Sequence, residues 1–216
     1  MRRTGTTGLE IDLCVILDRA ASRGRDLREI LDGVIRGGGR IVQFREKEWP
    51  SRRCLPLLEE LRGRAKGAGI RFVVNDRLDL ALAVEADGFH VGQDDLPAPR
   101  ARQLLPPSMF LGVSTHSLEQ ARRAQEDGAD YVAVGSIFPT ATKPEFQLVG
   151  LDLVRAARQA VRGPLVAIGG ITTDNAAEVI RAGADGVAVI SAVCGAPDPA
   201  QATRLFLERI RAAKSA

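Results

Sequence analysis

Eight short apolar runs, spaced evenly along 216 residues and separated by amphipathic segments, are what most restricts how this chain folds. In order they are Leu13–Leu17, Ile41–Phe44, Phe72–Asn75, Gly88–Val91, Phe110–Val113, Tyr131–Val134, Leu165–Ile168 and Val187–Ile190. They are rich in Val, Ile and Phe and lack strict polar alternation, the pattern of strands covered on both faces. The segments between them carry helical stripes. Leu27, Ile30, Leu31, Val34 and Ile35 fall at i, i+3, i+4, i+7 and i+8. Cys54, Leu57, Leu58, Leu61 and Ala65 form a second such stripe, and Ala176, Val179, Ile180 and Gly183 a third. Each predicts a helix with one face against a sheet. Ser117 followed by Gln120 reads as a capping box, and Gly128, Gly163 and Gly183 as helix ends. An Ala-Asp turn recurs before three runs, at Asp87, Asp130 and Asp185.

Strands alternating with seven or eight helices over this length predict a single (β/α)8 TIM barrel. The rival, an open doubly wound sheet, rarely needs eight parallel strands so evenly spaced. Residues 11–216 read as one catalytic domain, with no linker or low-complexity break. Residues 1–10 are rich in Thr, Gly and Arg and have no apolar h-region, so they read as a flexible N-terminal segment.

Composition removes several classes of function. With 45% hydrophobic residues a sizeable core is available, yet no run approaches the roughly 18 residues that span a bilayer. The net charge of +3 comes from 30 basic and 27 acidic residues spread along the helices, which is not the basic stripe of a nucleic-acid binder. The three cysteines are far apart and odd in number, so neither a disulfide framework nor a zinc site follows, and a reducing, cytoplasmic location is expected.

Chemistry in such a barrel lies at the C-terminal ends of the strands, and polar residues gather there. Gly169-Gly170 and Ile190-Ser191 follow strands seven and eight, the usual phosphate-binding loops of this fold, although the glycines could equally serve only a tight turn. Asp76 and Asp95 end strands three and four. Two carboxylates of this kind suit Mg²⁺, or else each caps the helix that follows. Arg45, Lys47 and Lys143 are cations at strand ends, suited to neutralising phosphate charge, or else solvated surface groups. His116 follows a strand end but has no carboxylate in its own motif. His90, Trp49 and Cys194 read as structural.

Together the motifs are specific. Gln43-Phe44-Arg45-Glu46-Lys47, Asn75-Asp76-Arg77, Gly92-Gln93-Asp94-Asp95, Gly112-Val113-Ser114-Thr115-His116, residues 135–144 ending in Thr140-Ala141-Thr142-Lys143-Pro144, Ile168-Gly169-Gly170-Ile171 and Val189-Ile190-Ser191-Ala192 occur in this order. The set closely resembles the thiamine-phosphate synthase family from about residue 12 to about residue 205. The resemblance implies an enzyme that joins a hydroxymethylpyrimidine diphosphate to a thiazole phosphate, giving thiamine phosphate and diphosphate. It implies that Gln43, Phe44, Arg45, Glu46, Lys47, Asn75, Ser114 and Lys143 hold the pyrimidine diphosphate. By the same resemblance Thr140, Thr142, Gly170, Ile190 and Ser191 hold the thiazole phosphate, and Asp76 and Asp95 bind Mg²⁺. Arg45, Lys47 and Lys143 would help the diphosphate depart. Two small phosphorylated substrates are the expected partners, with no nucleic acid, no membrane and a homo-oligomer open. Phe44 stands where Leu is more usual and Ser136 where Pro is. Residues 145–149 match nothing and are expected to form a mobile loop. A related thiazole tautomerase shares the barrel, but would not need Asn75, Asp76 and Asp95.

Overall fold

The computed structural model describes residues 8–140 and 148–216. Eight strands close in sequential order into a parallel barrel. They are β1 (Leu13–Asp18), β2 (Ile41–Arg45), β3 (Arg71–Asn75), β4 (Gly88–Val91), β5 (Phe110–Thr115), β6 (Tyr131–Val134), β7 (Leu165–Ile168) and β8 (Gly186–Val189). Closure falls between β8 and β1, where Leu13 lies against Val187 and Val15 against Val189. Around the outside run α1 (Leu27–Arg36), α2 (Ser51–Gly67), α3 (Leu78–Ala83), α4 (Ala98–Leu104), α5 (Leu118–Glu126), α6 (Gly150–Ala160) and α7 (Ala176–Arg181). The four-residue α8 (Ser191–Cys194) and the long α9 (Pro199–Lys214) follow β8, and a 3₁₀ turn (Ala20–Ser22) follows β1. Each of the eight runs is a strand. The largest boundary difference is at β5, which continues to Thr115.

The expected stripes face inward. Leu27, Ile30, Leu31 and Val34 of α1 are buried, as are Cys54, Leu58, Leu61 and Ala65 of α2. The Ser117 hydroxyl accepts from the Gln120 backbone N–H at 3.1 Å, and the Gln120 side chain accepts in return from His116 N–H at 2.7 Å. The predicted capping box therefore forms, with its return bond one residue earlier than usual.

Closure gives each strand two buried faces. One set of side chains packs between strands and helices, including Val42, Phe44, Phe72, Val74, Phe89, Val91, Leu111 and Val113. The alternate set fills the barrel: Cys14, Ile16, Ile41, Val73, Phe110, Tyr131, Ala133, Val166 and Ala188. Large inner residues need small neighbours. Gly88 pairs in register with Phe110 and Gly112 with Tyr131, and a Cβ on either glycine would collide with the facing ring. Leu9 and Ile11 are buried in this inner cluster. The expected flexible segment therefore does not extend to residue 10. Leu9 is needed to plug the apolar lower end of the barrel, while residues 1–7 lie outside the described residues.

The recurring Ala-Asp turn has a structural purpose. Asp87, which leads into β4, accepts from Phe72 N–H at 2.7 Å and from Arg62 at 3.0 Å. Asp130, before β6, accepts from Leu111 N–H at 2.8 Å and Arg102 at 3.1 Å. Asp185, before β8, accepts from Leu165 N–H at 2.8 Å and Arg158 at 2.7 Å. One carboxylate thus clamps the start of the preceding strand to an arginine of an outer helix, before β4, β6 and β8. We expect Asp130→Ala to lower the unfolding free energy by about 1–3 kcal/mol, because it strands the buried Leu111 N–H. Urea unfolding followed by circular dichroism measures this. Turnover per folded molecule should not change, since the turn lies at the end of the barrel away from the cavity described next.

Candidate active site

A cavity of about 570 Å³ opens at the C-terminal ends of the strands. The two-residue alternation decides what reaches it. In and after β2, Gln43, Arg45 and Lys47 line the cavity, whereas Phe44 and Glu46 do not. Phe44 is buried between strands and helices. Glu46 is buried and accepts from Glu48 N–H at 2.8 Å, Trp49 N–H at 3.3 Å and Arg19 Nε at 2.7 Å. Burial raises its carboxyl, but these hydrogen bonds more than offset that and hold it below the usual glutamate value. Glu46 therefore shapes the loop that presents Lys47. Its side chain does not line the cavity.

Asn75, Asp76, Asp95 and Ser114 line the same cavity, as do Thr140, Gly170, Ile190 and Ser191 on the other side of its mouth. Thr142 and Lys143 lie outside the described residues, as does most of the 145–149 segment. Asp76 has a left-handed backbone, φ 60°, and its N–H donates to His90 O at 2.8 Å. Aspartate tolerates this region better than most residues, and the bend carries its carboxylate toward Asp95 and away from the cap of α3. Asp95 accepts from Gly92 N–H at 2.8 Å. Burial, then the neighbouring Asp95 carboxyl, push the Asp76 carboxyl above the usual aspartate range, against the pull of Lys47. Lys47 is ion-paired with Asp76, and Arg45 with Asp18. Neither carboxylate caps a helix: α3 has no side-chain cap, and neither does α4.

Gly169 and Gly170 have φ of 105° and 62°. A Cβ on Gly170 would stand 2.5 Å from Pro139 O and 2.7 Å from Phe138 O. Phe138 N–H donates to Gly169 O at 3.0 Å. The glycines are thus required by the tight seam between the loops after β6 and β7, and that seam puts Thr140 beside Gly170 at the rim.

Several residues here carried no clear signal in the sequence. Asp18, the partner of Arg45, stands one residue past the first apolar run. His90 is a floor group: its Nδ1 lies 2.7 Å from the Tyr131 hydroxyl and its Nε2 2.8 Å from Ser114 Oγ. Gln43 hydrogen-bonds the same phenol, which burial holds well above its usual pKa. A polar chain thus runs Gln43–Tyr131–His90–Ser114 across the barrel above its apolar filling. Only register exposes it, because the four residues come from four strands. His116 Nδ1 lies 2.5 Å from Gly135 O, which fixes the ring at the end of β5.

The fold and cavity define a (β/α)8 barrel with a charged active site at the strand ends. A family model described as thiamine monophosphate synthase matches residues 13–193. The thiamine-phosphate synthase of Moorella thermoacetica is 52% identical over 204 residues, which cover 94% of this chain and 97% of that relative. The one from Chloroflexus aurantiacus is 51% identical over 193 residues, 89% of each chain. Among solved structures, a thiamine phosphate pyrophosphorylase from Pyrococcus furiosus matches with a TM-score of 0.87 at 38% identity, over 94% of this chain and 96% of that one. The chain belongs to the thiamine monophosphate synthase family.

The three cysteines are free and buried. Burial pushes the Cys14 thiol up to about 12 and the Cys194 thiol up to about 11, and raises that of Cys54. Only the thiolate reacts. At about pH 8 a chromogenic disulfide reagent should therefore find no fast thiol in the folded protein and all three after guanidinium unfolding. A fast native thiol would contradict the packing of these strands.

Proposed function

We propose that this protein condenses 4-amino-2-methyl-5-(diphosphooxymethyl)pyrimidine with thiazole phosphate, giving thiamine phosphate and diphosphate. One observation carries this reading within the family. Asp76, Asp95, Lys47 and Arg45 sit on one side of the cavity mouth, and Thr140, Gly170, Ile190 and Ser191 on the other. One mouth therefore offers a place for a diphosphate with a cation and a place for a monophosphate.

In the reaction the bond between the pyrimidine methylene carbon and the diphosphate oxygen breaks, and its electron pair leaves with the diphosphate. The aminopyrimidine stabilises the cationic methylene. The thiazole nitrogen then gives its lone pair to form the new C–N bond, so no protein nucleophile or general base is needed. Arg45 and Lys47 neutralise charge on the departing diphosphate. Gln43, Asn75 and Ser114 hold the pyrimidine against the polar floor, and the opposite rim holds the thiazole phosphate in line. Thr142 and Lys143 keep the roles that the family resemblance implies. Phe44 and Glu46 act by shaping the strand and loop.

The donor set fits Mg²⁺. Two carboxylates are brought together at a buried edge, where burial and the Asp95 carboxyl raise the proton affinity of Asp76, and oxygen ligands of this kind suit a hard divalent cation. Asp76 and Asp95 would hold it, and once bound it would add positive charge beside the diphosphate. No helix among the described residues is long and apolar enough to cross a membrane. The free, buried thiols support a reducing compartment such as the cytoplasm.

The test is diphosphate release from the two phosphorylated substrates, with and without Mg²⁺. We expect release that needs both substrates and stops with EDTA. Asp76→Asn combined with Asp95→Asn should slow it by about 10²–10³-fold. No release under any condition rejects the synthase reading. Full release in EDTA, or by the double variant, rejects the metal assignment alone.

A further inference from the structure

The rim assigned to the monophosphate has a charge problem. Thr140, Gly170, Ile190 and Ser191 are neutral, while a phosphate monoester carries about −1.5 to −2 at neutral pH. Three lysine or arginine side chains line the cavity among the described residues: Arg23, Arg45 and Lys47. Arg45 and Lys47 are ion-paired with Asp18 and Asp76. Arg23 has no ion pair or side-chain hydrogen bond among the described residues, and it is the one of the three that belongs to the β8 side of the barrel.

Its position is built. The 3₁₀ turn after β1 is held by Asp18, which accepts from Ala21 N–H at 3.0 Å, and by the Ser22 hydroxyl, which donates to Arg19 O at 2.8 Å. The turn ends at Arg23 in a left-handed conformation, φ 55° and ψ 37°. Two residues on, Arg25 donates to Ala196 O at 2.7 Å, just past α8. The β1 loop is thereby tied down along α8, and Arg23 runs beside it: a Cβ added to Gly195 would stand 3.4 Å from Arg23 Nε. α8 is only four residues, about 6 Å long, and Arg23 and Ser191 both line the cavity.

We propose that Arg23 is the cationic partner of the thiazole substrate's phosphate, completing a site whose other described residues are neutral. This rests on the synthase reading above. A guanidinium suits the task, since its planar fork can donate two parallel hydrogen bonds to phosphate oxygens. The assignment also separates the two substrates electrostatically: Arg45 and Lys47 serve the diphosphate, and Arg23 the monophosphate.

The experiment compares wild type with Arg23→Met and Arg23→Lys in steady-state diphosphate release. Each substrate is varied in turn, and thiazole phosphate is compared with its dephosphorylated alcohol. Arg23→Met should raise KM for thiazole phosphate about 10- to 100-fold and leave KM for the pyrimidine diphosphate within about twofold. Arg23→Lys should fall between. With the alcohol, wild type and Arg23→Met should behave alike, which a merely structural role for Arg23 would not produce. Arg209→Met, on the exposed face of α9, controls for the lost charge and should match wild type. An unchanged KM for thiazole phosphate overturns the proposal while leaving the synthase reading intact. So does an equal loss with the alcohol, or a loss confined to the pyrimidine diphosphate. A wild-type protein that releases no diphosphate removes the synthase reading itself.

Discussion

The two-residue alternation of a strand, imposed on a closed sheet, governs this molecule. Once β8 pairs with β1 there is no free edge, and every side chain must point either into the barrel or out toward the helices. Apolar residues at the lower strand positions fill the interior, with Gly88 and Gly112 making room for Phe110 and Tyr131. One step higher on the same inward track stand Gln43, Asn75, His90 and Ser114, with Arg45 and Lys47 beyond Gln43 and Asp76 turned in by its left-handed backbone. The site is the upper continuation of the core packing, which holds its groups at fixed heights and spacings.

Electrostatics is arranged on that scaffold in pairs. Arg45 meets Asp18, and Lys47 meets the Asp76 carboxylate, which itself lies against Asp95. Burying charges in this way is a poor route to stability, since the desolvation cost competes with the attraction. Such pairs do keep the cations extended toward the mouth before any ligand arrives. The neutral rim across the mouth contrasts with this, and Arg23, whose loop is tied to the end of α8 through Arg25, lines the same cavity.

The opposite end of the barrel shows how little of a polar motif's recurrence need be functional. Asp87, Asp130 and Asp185 look alike in the sequence and sit in equivalent turns. Each satisfies an N–H at or next to the start of one strand and one arginine from an outer helix. Their repetition reflects a structural unit of two strands and two helices used again. The seam at Gly169-Gly170 is similar: its glycines are demanded by the carbonyls of Phe138 and Pro139, and its position at the rim is what makes it useful to a ligand.

Much was legible without coordinates. The eight apolar runs and helical stripes determined the barrel, because burial on both faces leaves a periodic record along the chain. The ordered motifs determined the family and most residues around the cavity, since strand ends in this fold always share one face. What the sequence left open was direction and partnership. Gln43 through Lys47 read as one continuous motif, yet the pleat turns Phe44 and Glu46 away from the cavity. His90 read only as structural, and register is what sets it between Tyr131 and Ser114. Asp76 and Asp95 are 19 positions apart by their numbering, and only the left-handed bend at Asp76 and the adjacency of β3 and β4 bring their carboxylates into contact. Sequence specifies which groups are available and at which strand ends. Which of them meet depends on closure, register and local backbone angle, and these exist only once the distant strands have paired.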